Sequence, residues 1–339
     1  MDGHFWGRYH RTLADVNGDG HGDMLVGTTV MFGDGTGAFS TGPLQVPTAL
    51  PTQRLAAADV DGDGYADLIG LGSGGVYLSL GDGAGTFGAP TLIAPAVLNL
   101  YDMAVGDVDG DGNVDVVSLN AQAGVEVRLG DGAGGFAGPI HVDAPELLFG
   151  KGALLDDLDG DGDMDLVVAA DGQASKGGAV AVFLGDGTGA LAPPTLFSVR
   201  PDPSAPNAGA CDLVLGDINA DGNLDAVTGG QLFGAVASVL MGDGAGGFGT
   251  AIPIPSVDTC LLEAADIDGD GALDLIASTD AGIEVWWGDG AGQFSDPHSL
   301  GRGSSLVDDL DGDGKPDVVV AGGEKVSVFM NRLSGRPTH

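Results

Sequence analysis

Apolar residues come along this chain in short β-type runs, bounded almost everywhere by glycine and aspartate. Val125-Glu126-Val127-Arg128-Leu129 and Ile283-Glu284-Val285-Trp286-Trp287 alternate with period two, the pattern of strands with one face in a core. Leu166-Val167-Val168 and Val318-Val319-Val320 are continuous short runs, again of strand type. One central stretch therefore predicts a strand from Met103 to Gly106, a tight acidic loop, strands from Val114 to Val117 and from Val125 to Leu129, a glycine-rich hairpin, and a strand around Pro139 to Val142. The same order recurs seven times. Four antiparallel strands in a unit averaging about 48 of the 339 residues is the size of a propeller blade. Length alone suggests two domains, but the repeat takes precedence. The expectation is an all-β, seven-bladed β-propeller of four-stranded antiparallel blades, a single domain over 1–339. Closing such a ring leaves no long strand edge unpaired.

The acidic loops follow one nine-residue pattern, Asp-x-(Asp/Asn)-x-Asp-Gly-x-x-Asp, at 15–23, 59–67, 107–115, 157–165, 217–225, 266–274 and 309–317. Oxygens at alternate positions of a tight loop converge on one point, which suits a hard cation taking six to eight oxygen ligands. Calcium is the expected occupant, up to seven ions with a structural role. Side chains at positions one, three, five and nine, with the main-chain carbonyl at seven, give the candidate ligand sets. They are Asp15, Asn17, Asp19, His21 and Asp23; Asp59, Asp61, Asp63, Tyr65 and Asp67; Asp107, Asp109, Asp111, Asn113 and Asp115; Asp157, Asp159, Asp161, Asp163 and Asp165; Asp217, Asn219, Asp221, Asn223 and Asp225; Asp266, Asp268, Asp270, Ala272 and Asp274; and Asp309, Asp311, Asp313, Lys315 and Asp317. The scatter of residue types at position seven is what use of a main-chain oxygen alone predicts. Asn17 and Asn219 remove one negative charge each, so the first and fifth sites are expected to be weaker. An EF-hand is excluded, because position twelve is never Glu and the flanks are strands. A calcium β-helix is excluded by spacing, since its repeats follow every nine residues.

Composition sharpens this picture. The net charge is −37, and of 49 acidic residues 26 stand at the ligand positions of the loops. Seven calcium ions would bring the charge only to about −23, which disfavours nucleic acid and any direct electrostatic contact with an anionic membrane. No transmembrane run and no secretory signal are present in the sequence as given. Loops of extracellular affinity, roughly 0.1 to 1 mM, would be unfilled in cytosol, so an extracellular or cell-surface location is expected, with any signal removed or the chain cut from a longer one.

A second motif lies downstream of each of the first six loops: Gly33 to Phe39, Gly81 to Phe87, Gly130 to Phe136, Gly185 to Leu191, Gly242 to Phe248 and Gly288 to Phe294. Its glycines are expected to supply the positive φ of a hairpin and its last residue to anchor the returning strand. The seventh unit lacks it and ends near Phe329-Met330-Asn331. Its outer strand is left to either 332–339 or His4 to Tyr9.

The acidic loops followed by Gly-Asp-Gly-x-Gly-x-Phe, with Phe87-Gly88-Ala89-Pro90 spelled out in the second unit, resemble the FG-GAP or VCBS repeats of integrin-α-type seven-bladed propellers. The resemblance covers nearly the whole chain. It implies calcium in the loop between the first two strands of each blade, on the lower face. It also implies a function among adhesion heads, sugar-binding lectins such as the fungal propeller lectins, and scaffolds of carbohydrate-active enzymes.

With loops and hairpins on one face, the variable connections collect on the other, where repeat proteins bind their partners. Arg54, Tyr101, Asp102, Lys151, Asp212 and Asp258 fall near that rim as candidate contacts to a glycan or a protein surface, and Trp286 as a candidate stacking platform. Trp287 aligns with Leu80, Leu129 and Met241, positions expected in the core, and Glu263 has the parity of the axial channel. Cys211 and Cys260 each lie six residues before a loop, so they begin the first strands of neighbouring blades, either bridged or as two buried thiols. No nucleophile with its base, histidine metal set or phosphate loop is found. The six histidines, His4, His10, His21, His141, His298 and His339, are scattered. A sugar lyase or dehydratase would have Tyr9, His10, Arg11, Arg54, Tyr101 and Lys151 as its basic or phenolic groups. The reading is a binding module and not an enzyme, glycan or protein its ligand.

Overall fold

A computed structural model describes residues 11–26, 28–96, 100–120, 124–144, 150–170, 178–200, 209–231, 237–254, 259, 261–279, 282–301, 304–322 and 325–331. Every regular element among them is a strand. These form seven antiparallel sheets, six of four strands and a seventh of three, each ordered as in the sequence. In blade three the strands are Leu100–Gly106, Asp115–Asn120, Gly124–Arg128 and Ile140–Val142. The third strand matches the alternating run, and the first two extend the expected ones toward the rim opposite the loop. The two chain ends weighed for the outer strand of blade seven lie outside the described residues.

First strands of successive blades touch one another from blade one to blade seven and so surround the axis. The second strand of each blade is buried on both faces, which explains continuous runs such as Leu166-Val167-Val168. Between blades lie seven apolar clusters, one per junction. Val117, Leu119, Val125 and Val127 of blade three meet Leu166, Val168, Ala181 and Phe183 of blade four, for example. The last cluster joins Met24 of blade one to Leu310 and Val319 of blade seven, closing the ring. Alternation along a strand thus sends one set of side chains to the preceding blade and the other to the next.

The residue that ends each hairpin motif packs into the junction with the preceding blade: Phe39, Phe87, Phe136, Leu191, Phe248 and Phe294 all do so. The expected positive φ holds for the third and fifth positions of the motif, such as Gly132 at 65° and Gly134 at 79°, but not for the first. A Cβ on the first glycine would lie 2.1–2.3 Å from the carbonyl oxygen of loop position eight, so close backbone approach is what demands glycine there. Trp287, 9% exposed, packs between blades six and seven as expected. Leu80, at the same position in blade two, is instead 39% exposed.

A ring of candidate cation loops

Each acidic loop is shaped by its own carboxylates. In all seven, the position-one Asp accepts the N–H of the position-six Gly at 2.7–3.0 Å. The position-five Asp accepts the N–H of position seven at 2.8–3.0 Å. The position-six glycines have φ of 84–95°, which only glycine adopts without strain. Position four also lies at positive φ: six loops place Gly there, and the fifth has Ala220 at 60°, the single non-glycine of this kind among the described residues. That requirement was readable in the repeated glycine at position four, yet the nine-residue pattern leaves the position open.

The closing Asp joins the two motifs. One oxygen accepts the N–H of position two at 2.8–3.1 Å. The other accepts the first hairpin N–H in blades one to six, and in blade seven the N–H of Asn331, at 2.6–2.9 Å. Asn331 therefore stands in for the missing glycine. Its side-chain amide also donates to the carbonyl of Ile267, position two of the sixth loop, at 2.6 Å. In the first three loops the position-two carbonyl takes its bond from the next blade's hairpin, Gly85 on Val16, Gly134 on Val60 and Gly189 on Val108.

Burial raises the pKa of all seven closing carboxyls above the ordinary carboxylate value, that of Asp274 to about 6, and charged neighbours within the loops add to the rise. A cation in a loop favours the ionised form, so protons and metal compete for these carboxylates, in the sixth loop as the pH falls toward 6. In loops two, three, four, six and seven, carboxylate oxygens of positions one, three and nine come within 4.8 Å of one another. Loops one and five, where Asn replaces Asp at position three, offer no such carboxylate triplet. Their amides donate to the position-five carboxylates instead, Asn17 to Asp19 at 3.0 Å and Asn219 to Asp221 at 2.9 Å. An all-oxygen set of this kind fits a hard divalent cation. Position-seven side chains point away over their hairpins, His21 against Gly35, Tyr65 against Gly83 and Asn113 against Gly132.

The residues expected to meet a ligand at the far rim are placed differently. Asp102 is 3% exposed and holds an ion pair with Arg54 of blade two, while accepting N–H bonds from Gly152 at 2.6 Å and Ala153 at 3.2 Å in blade four. Asp212 accepts the N–H of Leu262 across the next-but-one junction at 2.9 Å. Both act as joints between blades, a role sequence reasoning missed because it depends on bulges that turn the strand ends toward a neighbour. Trp286 is 1% exposed and packs between blades five and six, which removes it as a stacking platform. Tyr101 is partly exposed, the backbone of Lys151 lies in the first strand of blade four, and Asp258 lies outside the described residues. Glu263 lines an open cavity of about 590 Å³ bordered by the first strands of blades four to seven and by Gly314, Lys315 and Pro316 of the seventh loop. Cys211 is disulfide-bonded, and the one other cysteine of the chain, Cys260, lies outside the described residues.

Comparison with solved structures finds the same architecture. An Agrocybe aegerita lectin, described as recognising non-reducing terminal N-acetylglucosamine, is 24% identical with a TM-score of 0.63, over 86% of this chain and 80% of its own. BBS1N, solved in complex with ARL6DN, is 10% identical with a TM-score of 0.64, over 96% and 93%. The Vibrio cholerae biofilm matrix protein Bap1 is 14% identical with a TM-score of 0.50, over 96% and 87%. A comparison with curated protein sequences found no match. The model of the FG-GAP-like repeat matches residues 15–70, 59–118, 107–168, 157–228 and 266–307, each match running from an acidic loop through the strands that follow it. Loop, hairpin and blade thus agree on one repeat, and this chain belongs to the FG-GAP-like repeat family.

Proposed function

We propose that this protein is an extracellular recognition module, a single propeller domain over 1–339 in which calcium fills the acidic loops and the opposite rim binds a glycan. The observation that carries the metal reading is the set of five carboxylate triplets, each within 4.8 Å and each built on the same hydrogen-bond frame. Bound calcium supplies charge neutralisation there: it holds together carboxylates that otherwise repel one another at the end of every blade. The role assigned to it is structural, since the closing carboxylate it would hold is also the one that ties each loop to the hairpin or to Asn331.

The glycan reading is supported by likeness to a propeller whose description names a terminal sugar as its ligand. A protein ligand has parallel support in a propeller solved with a protein partner. A glycan array probed in millimolar calcium, with a chelated control, tests the reading. Calcium-dependent binding to a defined sugar is expected. Silence across the array by folded, calcium-loaded protein sinks the glycan reading and moves the search to protein surfaces.

A further inference from the structure

We propose that the junction between blades two and three holds a site for a neutral hydroxyl-bearing ligand, centred on the side-chain amide of Asn120. The proposal rests on the glycan reading above and narrows it to one junction. Asn120 ends the second strand of blade three, at the end away from the acidic loop, and is 4% exposed. Its Oδ1 is buried and has no hydrogen-bond partner. Its Nδ2 has one contact, Ser118 Oγ at 3.5 Å, the outer limit for such a bond. Exchanging O and N of the amide would pair the oxygen with Ser118 and orphan the NH2, so the group is short of partners in either orientation. Buried amides in this condition are rare, and an unfilled partner position is the usual reason.

The neighbourhood is polar where the fold does not call for it. Val116 packs toward blade two while Val117 and Leu119 pack toward blade four, so alternation sends Ser118 and Asn120 to the blade-two side. Glu126, paired directly opposite Ser118, shares that side. The same positions of blade four, facing blade three, are Leu166, Val168 and Ala170, all in the apolar core. Ring closure works with that apolar set, so packing alone does not require the polar stripe of blade three.

Charge on the stripe is already balanced, because Arg128 Nε donates to Glu126 at 2.7 Å. What remains open is a neutral amide beside a hydroxyl. A ligand hydroxyl both donates and accepts, and so satisfies Asn120 Oδ1 together with Nδ2. An ion satisfies one half and repels the other. Shielding from bulk water gives each such bond more weight than it would have at the surface. At the same rim Tyr101 is the extra residue of a bulge, since Leu119 pairs with Asp102 while Asn120 pairs with Leu100. It is partly exposed.

The test titrates N-acetylglucosamine and methyl α-mannoside, followed by NMR, into calcium-loaded wild type, Asn120→Leu and Ser118→Ala. Leu matches the shape of Asn without its polar atoms, so the fold is expected to hold or gain in melting temperature. The sugar that wild type binds should weaken roughly tenfold in Asn120→Leu and by a smaller factor in Ser118→Ala. Should the Leu variant not fold, the Ser118→Ala affinity decides alone. Unchanged affinity in the folded variants overturns this site and leaves the glycan reading standing, Asn120 then holding only a buried water. A wild type silent toward both sugars and the whole array overturns the glycan reading, and this site with it.

Discussion

At the end of the ring that carries the acidic loops, seven units repeat one hydrogen-bond plan almost without change; at the other end the described joints differ along the ring, with only Asp102 and Asp212 repeating one plan, each accepting an N–H of the following blade. Blades two, three and four meet there through Asp102 with Arg54, Gly152 and Ala153. Blades four and five use Ser238 Oγ on the carbonyl of Val199, and blades six and seven use Ser278 Oγ under the N–H of Ser305. Uniformity at one end marks a frame common to every unit, an acidic loop whose closing carboxylate ties it to the chain beyond the third strand. Variety at the other marks joints that were solved one at a time, which leaves individual positions free to take up a ligand.

The largest test of this contrast is removal of metal. At a Kd near 0.1 mM and about 1 mM free ion, each loop contributes roughly 1.4 kcal/mol and seven contribute about 10, comparable with the stability of a whole domain. Excess chelator should therefore lower the melting temperature steeply, and an unchanged thermal melt would show the loops to be self-sufficient. Next is Asp102→Ala, which leaves Arg54 and two N–H groups of blade four without their acceptor. A loss of about 3–5 kcal/mol in urea unfolding is expected for breaking a buried pair on one side. If the loss stays under about 1 kcal/mol, this joint is ornamental.

Asn331→Ala probes the one irregular unit at the uniform end. The backbone N–H to Asp317 survives, but the amide bond to Ile267 is lost, so about 1–2 kcal/mol should go, with the calcium dependence of the melt otherwise intact. Equal stability would mean that blade seven does without the joint the others have. Smallest, and opposite in sign, is Ala220→Gly. Relief of a left-handed alanine should stabilise the fifth loop by about 1 kcal/mol, seen as a higher denaturation midpoint at saturating calcium. A lower midpoint would show that the strain is absent in the metal-loaded loop.

Legibility in the sequence followed the same division. The blades, their order and the loop carboxylates could be read because alternation and spacing are local and repeat seven times. Trp286 and Asp102 could not be placed, for a different reason. Whether an aromatic at the end of a strand faces solvent or a neighbouring blade depends on how large the residues across the junction are. Asp102 meets Gly152 because of a bulge in each strand, and a bulge leaves no periodic trace. Asn331 was hidden for a third reason: the main-chain N–H it supplies is common to every residue type, so only its position after the third strand reveals it.

The bond from each hairpin to the preceding loop has a consequence for how such a protein grows. Val60 donates its N–H to the carboxylate that closes its own loop and offers its carbonyl to Gly134 of the following blade. The units of blades two and three thus each bring one plug and one socket, made of main-chain groups that any neighbour could meet. A gene segment encoding such a unit can be duplicated, lost or exchanged and still find both fittings waiting, and where the hairpin is missing, as in blade seven, a side chain such as that of Asn331 fills the socket of the preceding loop.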